Sequence, residues 1–233
     1  MPSADIAAKL EAVRQAVKQA AERFGRNPAD VCVLAVSKQQ PPSAIAAAAD
    51  AGQADFGENY LQEALAKIAT LEARKLNWHF IGAIQSNKTR AIAEHFSWVH
   101  TVERAKIAQR LDAQRPASLP PLNVCIQVNV SGEASKAGIA PDEADALAAA
   151  IAEMPRLRLR GLMTIPAPVD DFAKQRAAFH TLAGLFRRLR GAGHELDTLS
   201  MGMSGDFEAA IAEGATIVRI GTAIFGARRK AAP

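Results

Sequence analysis

The sequence predicts an α/β protein folded as a single (β/α)₈ barrel. Three observations carry this. Eight short strand-like runs recur along the chain, and helical patterns separate them. Strands that alternate with helices pair in parallel, with the helices outside the sheet. Eight such units in about 200 residues fit closure into a barrel. An open doubly wound sheet is the alternative. It needs a topological switch point, and eight units are many for it. No linker, low-complexity tract or shift of composition divides residues 1–233. They read as one domain, with an N-terminal helix and a short basic tail, Ala227 to Lys230.

The elements follow in order. MPSADIAAKLEAVRQAVKQAAERFG is an amphipathic helix pattern with charges throughout. Val31–Ser37 is a short Val-rich run, the mark of a buried strand, and two prolines stop the chain soon after. Ser43–Ala51 is an Ala-rich helix. A short strand, Asp55–Gly57, precedes a helix from Asn59 to about Arg74. Trp78–Gly82 is a strand, followed by a helix through Ala91. Trp98–Val102 and Arg104–Arg115 form the next pair. Leu122–Val130 is the clearest strand, with Asp142–Met154 as its helix. Leu157–Ile165 leads to a long helix, Phe172–Gly191. Thr198–Gly202, the helix Asp206–Glu213 and the strand Ile217–Gly221 complete the series.

Bulk composition excludes several classes. The chain is 49% hydrophobic and 22% charged, as soluble globular proteins are. No apolar run approaches the roughly 18 residues of a membrane helix, and the N-terminus lacks the apolar core of a signal peptide. A cytoplasmic protein without membrane contact is expected. The net charge is +4, scattered over helix faces apart from Arg187–Arg190 and the tail. Aromatics are 5% and do not interleave with the basic residues, which argues against nucleic acid as a partner. Cys32 and Cys125 each sit within apolar runs and read as small buried hydrophobes, neither a disulfide nor a metal site.

Strand ends carry the chemistry in this fold. Lys38 ends the first strand, where a lysine either snorkels into water or serves a site. Other ends supply Asn59; Gln85, Ser86 and Asn87; Asn129 with Ser131; Met163 and Thr164; Ser200; and Arg219. A polar set converging on one mouth is a candidate site. LSMGMSGDFEAAI places Ser200, Gly202, Ser204 and Gly205 before a helix, and VRIGTAIFG places Gly221 and Thr222 just past the last strand. Small residues and helix starts after strands seven and eight suit a phosphate. A lysine in a partly dry pocket attacks carbonyls. A phosphorylated aldehyde matches both features, and pyridoxal 5′-phosphate (PLP) is the commonest such cofactor. Arg219 is either a buried salt-bridge partner or a donor to a pyridine nitrogen, which would then stay unprotonated and make a weak electron sink. His79 reads as a hydrogen-bonded core residue. No ligand spacing accompanies it, so no metal is expected.

AVSK, FGENYLQE, WHFIGAIQSNK, NVSGEASKAGI, GLMTIP, LSMGMSGDFEAAI and VRIGTAIFG occur in this order from about residue 5 to Ala227. Together they resemble the pyridoxal phosphate homeostasis proteins. The resemblance implies an alanine-racemase-like barrel of PLP fold type III. It implies a Schiff base on Lys38 and phosphate binding by Ser200, Ser204, Gly221 and Thr222. It also implies a pyridine-nitrogen contact from Arg219 and a place for Asn59 beside the ring. Gly205, Ile84 and Gln39 depart from the usual pattern, and Gly205 puts the detail of the phosphate loop in question. Lys136 reads as a solvated lysine, with a transient second amine as the sharper idea. Tyr60, the only tyrosine, reads as a rim residue.

Two classes of function compete. One is a PLP-dependent amino-acid racemase-like enzyme. The related racemases take a second base, a tyrosine, from an added domain of the partner subunit, and the sequence ends soon after the eighth strand. A Schiff-base aldolase is weaker still, for want of acid–base residues near the lysine. The other class is a non-enzymatic protein that buffers PLP or delivers it to PLP-requiring apoenzymes. The second is expected, as a monomer.

Overall fold

The computed structural model describes residues 2–133 and 136–226. Eight parallel strands close into a barrel in chain order. They are β1 (Cys32–Val36), β2 (Asp55–Glu58), β3 (Asn77–Phe80), β4 (Trp98–Val102), β5 (Leu122–Gln127), β6 (Leu157–Met163), β7 (Thr198–Ser200) and β8 (Ile217–Ile220). Closure comes from β1 against β8, in the register Leu34 to Arg219 and Ala35 to Ile220. The open doubly wound alternative is therefore set aside.

Helices lie outside: α1 (Pro2–Arg23), α2 (Pro42–Asp50), α3 (Leu61–Thr70), α4 (Thr89–His95), α5 (Ala105–Gln114), α6 (Ala144–Ala152), α7 (Phe172–Gly191), α8 (Phe207–Ala212) and α9 (Thr222–Phe225). Their buried residues recur at helical spacing. In α7 these are Phe179, Leu182, Ala183, Leu185, Phe186 and Leu189. One stripe thus faces the barrel while the charged residues face water. Asp171 starts α7 by accepting from the Lys174 N–H at 2.8 Å. The N-terminal α1 packs on α2, α8 and α9 and so covers the seam between the first and last units.

The strands stop earlier than the apolar runs suggest. β5 ends at Gln127, after which Val128 makes only an isolated bridge to Ile139. β6 ends at Met163 and β7 at Ser200, and the Arg219 side chain donates to the carbonyls of Thr164 and Ser200 there. The long helix expected to start at Asn59 begins at Leu61, and a separate 3₁₀ turn covers Glu72–Arg74. Helix α9 was not visible in the hydrophobic pattern because it is only four residues long.

Both cysteines are free. Burial pushes the Cys125 thiol up to about 12, and burial together with the neighbouring Asp55 does the same for Cys32. Because the thiolate is the reactive form, neither should react quickly with an aromatic disulfide reagent at pH 8. Two thiols should appear at once in denaturant. Rapid titration of the native chain would refute this.

Candidate functional site

Lys38 lies in a tight turn directly after β1. The turn is closed by Gln40 N–H to Ser37 O at 3.0 Å, and Gln39 takes a left-handed φ of 60°. A non-glycine residue in that region needs support from its surroundings. A buried charge cluster supplies it. Lys67, on α3, is 3% exposed. Its ammonium donates to Ser37 O at 2.8 Å, to Glu58 Oε1 at 2.8 Å and to Glu63 Oε1. Glu63 Oε1 also accepts from the Gln39 N–H at 2.6 Å, and Glu58 Oε1 from the Ser37 hydroxyl at 2.6 Å. The residues on either side of Lys38 are thus clamped by one lysine and two carboxylates. All three ammonium donors are used. Burial raises the Glu58 carboxyl above its usual range, and Lys67 and Ser37 pull it part of the way back.

Asn59 follows β2 at the same level of the barrel, since Val36 of β1 pairs beside Gly57. Gly82 holds it in place. A Cβ on Gly82 would lie 2.1 Å from the Asn59 carbonyl oxygen, so only glycine lets the two loops approach. The Asn59 Oδ1 is buried and has no hydrogen-bond partner among the described residues, a donor-seeking group beside the Lys38 turn.

Arg219, in β8, is buried at the barrel's centre. No carboxylate lies within ion-pair distance of it among the described residues, so the salt-bridge alternative fails. It donates to Ser200 O at 2.6 Å, to Ser200 Oγ at 2.9 Å and to Thr164 O at 2.8 Å. Guanidinium carries five N–H groups, so donors remain for a ligand. Burial draws its pKa down to about 10, which leaves it charged at neutral pH.

Ser200, Thr164 and Arg219 therefore meet through direct bonds. Gly221 lies beside the Lys38 strand, where a Cβ would sit 3.1 Å from Val36 O, and it starts α9 with Thr222 exposed beside it. Ser204 is exposed on the loop between β7 and α8. Gly202 supports that loop at φ +92° and accepts the Arg219 N–H at 2.9 Å. A Cβ on Gly205 would meet nothing within 4 Å, so its departure from the family pattern leaves the loop backbone as it is.

Other strand-end residues serve their own loops. Asn129 Nδ2 donates to Glu133 O at 2.8 Å and to Lys136 O at 3.3 Å. Ser131 Oγ accepts from the Ala167 N–H. Gln85 starts the 3₁₀ turn Ser86–Lys88, and the Ser86 carbonyl accepts from Thr89 Oγ1. Tyr60 is 54% exposed at the rim. His79 is a buried, hydrogen-bonded residue. Sequence reasoning missed Glu58, Lys67 and His100. Their one signal was polarity at positions that the strand and helix periods turn inward. The basic tail Ala227–Lys230 and the loop residues Ala134 and Ser135 lie outside the described residues.

Fold and site together define a barrel of the alanine racemase N-terminal-domain type, a family matched over residues 8–229. A pyridoxal phosphate homeostasis protein of Pseudomonas aeruginosa is 62% identical over 228 residues, 98% of each chain. One of Escherichia coli K12 is 57% identical over 227 residues, 96% of this chain and 97% of that one. The chain belongs to the pyridoxal phosphate homeostasis protein family. The structure of PipY from Synechococcus elongatus with PLP bound superposes with a TM-score of 0.82 at 36% identity, over 95% of this chain and all of that one. Alanine racemase of Corynebacterium glutamicum, at 17% identity and a TM-score of 0.69, shares the fold over 94% of this chain and 62% of its own length.

The clamp gives a test. Lys67→Met strips the cation from two carboxylates and should cost about 3–5 kcal/mol, as other broken buried pairs do. Glu58 would then hold its proton to a still higher pH than the unfolded chain does. Between those two values the folded state binds more protons, so stability falls as pH rises. Urea melts at pH 5.5 and pH 8 should show the larger deficit at pH 8. An equal deficit would refute the assignment.

Proposed function

We propose that this protein binds pyridoxal 5′-phosphate at the mouth of the barrel and acts in PLP homeostasis, holding the cofactor and releasing it to apoenzymes that need it. The observation that carries the reading is the clamped turn. Lys38 is held at the end of β1, beside Gly221 and Thr222 at the end of β8, with Arg219 buried below. The residues fit the cofactor's chemistry. Lys38 supplies an amine for its carbonyl. Ser200, Ser204, Thr222 and the Gly221 N–H face its phosphate. Arg219 and Asn59 answer its ring polar groups. Bound there, PLP supplies an electron sink conjugated to the attached amine. Arg219 is a permanent donor, so the ring nitrogen it faces stays an acceptor and the sink stays weak.

We propose that the protein works as a monomer in the cytoplasm. Among the described residues no helix is long and apolar enough to cross a membrane. None of their His, Cys, Asp and Glu groups could hold a metal ion.

Borohydride reduction after PLP addition, followed by peptide mapping, should place one pyridoxyl group on Lys38. An adduct solely on another lysine would overturn the site. Ser204→Ala and Thr222→Ala, both at exposed positions, should each lose about 1.5–3 kcal/mol of PLP affinity. That is roughly a ten- to hundredfold change. Unchanged affinity in both and in their double variant would remove the cradle.

Turnover on amino acids should be negligible. Removing a positioned base typically lowers rates by about 10²–10⁴-fold, and Tyr60, the only tyrosine, stands exposed at the rim. Loaded protein should instead activate a PLP-requiring apoenzyme on mixing. Racemase, decarboxylase or transaminase turnover that Lys38→Ala abolishes would restore the enzyme reading.

A further inference from the structure

A polar chain crosses the barrel interior from its floor to the proposed cofactor face. Asp55, the first residue of β2, faces His79 Nε2 at 3.2 Å. His79 Nδ1 faces His100 Nε2 at 2.9 Å. His100 Nδ1 faces Ser200 Oγ at 2.8 Å, and Ser200 Oγ accepts from Arg219 at 2.9 Å. Both imidazoles are buried, while Asp55 is partly open to solvent at the floor. A concavity of about 490 Å³ lies there, lined by Asp55, His79, Trp98 and Arg160 among others.

Each link needs one donor and one acceptor, which leaves two consistent states. In the first, the Ser200 hydroxyl donates down to His100 Nδ1. His100 Nε2–H then donates to His79 Nδ1, and His79 Nε2–H to the Asp55 carboxylate. In the second, the Ser200 hydroxyl donates up to a ligand, so His100 must present Nδ1–H to it. His100 Nε2 then accepts from His79 Nδ1–H. His79 Nε2 would now turn a lone pair on the Asp55 carboxylate unless one more proton sits between them. The first state suits the free chain. Burial holds both imidazoles below their ordinary range, and Asp55 stays below its own despite burial, because His79 and Asn77 donate to it.

We propose that His79 and His100 are positioning residues that couple the direction of the Ser200 hydroxyl to one proton at the barrel floor, so that a phosphate-bearing ligand accepting from Ser200 draws a proton from solvent into the Asp55–His79 couple. This rests on the cofactor reading above. Around His79 stand Asp55 with its partners Asn77 and Cys32, and the stacked Trp98, which carries Arg160 on its ring; Arg26, Asp30 and Asp197 line the same floor concavity. Around His100 they are His79, Ser200 and Arg219, with Cys125 and Asp206 acting on Arg219. None of these replaces the missing proton. Asp55→Asn does, because a carboxamide can accept through Oδ1 or donate through Nδ2.

Three measurements test this. Imidazole ¹⁵N spectra of the free protein should show His79 and His100 both as neutral Nε2–H tautomers. An Nδ1–H on His100 in the free protein overturns the proposal. PLP affinity against pH from 7 to 9 should fall more steeply in the wild type than in Asp55→Asn. The difference should be one proton, about tenfold per pH unit. Pyridoxal, which lacks the phosphate, should show no such difference. Parallel slopes with PLP bound, or the same difference with pyridoxal, overturn the relay and leave the site standing. Failure of borohydride to fix PLP on the wild type removes the site and the proposal together.

Discussion

A guanidinium sealed inside a barrel is costly unless acceptors meet its buried charge. Arg219 meets this demand with the carbonyl and hydroxyl of Ser200 and the carbonyl of Thr164. The bonds to Ser200 cross the junction of β7 and β8, where Ser200 pairs with Ile217, and the bond to Thr164 reaches past the end of β6. The charge thus adds side-chain bonds to segments that backbone bonds also join, Thr216 N–H to Leu199 O, Met201 N–H to Ile217 O and Arg219 N–H to Gly202 O. The carbonyls that accept from its side chain are those of Ser200, the last residue of β7, and Thr164, just past the end of β6.

The two buried polar systems do different things. The Lys67 cluster is a clamp. It holds backbone atoms of Ser37 and Gln39, so the conformation at Lys38 does not depend on a ligand. The histidine chain from Asp55 to Ser200 is a line of reversible hydrogen bonds, each with two possible directions. A rigid anchor beside an adjustable acceptor suits a protein that must grip a ligand and also let it go.

The architecture was legible because strand and helix periods alternate eight times and because Val, Ile and Leu cluster in runs too short for helices. Strand ends were less so. Val128 to Val130 and Thr164 to Ile165 are apolar enough to continue a strand, yet their backbone groups go to tertiary partners that no local pattern reveals. Lys38, Asn59, Arg219 and Gly221 stood out because small or charged residues interrupt apolar runs at strand ends. Lys67 did not, since a lysine in an amphipathic helix ordinarily faces water. Only the fold shows that its position points under the turn at Ser37. His100 was hidden in the same way, inside the short strand Trp98–Val102.

The seam between β1 and β8 has a consequence for biosynthesis. Lys38 lies at the end of the first strand, and Gly221 and Thr222 follow the last, so nearly two hundred residues separate the two halves of one site. Until β8 emerges, β1 has an open edge and Leu34 has no partner in Arg219. A chain still on the ribosome therefore carries Lys38 without the residues that would stand beside it. The site comes into being only when translation is nearly complete and the ring of strands shuts, with α1 laid over the join. On the proposed site, truncated or stalled chains would be blind to the cofactor, and a loaded molecule would report that its barrel has closed.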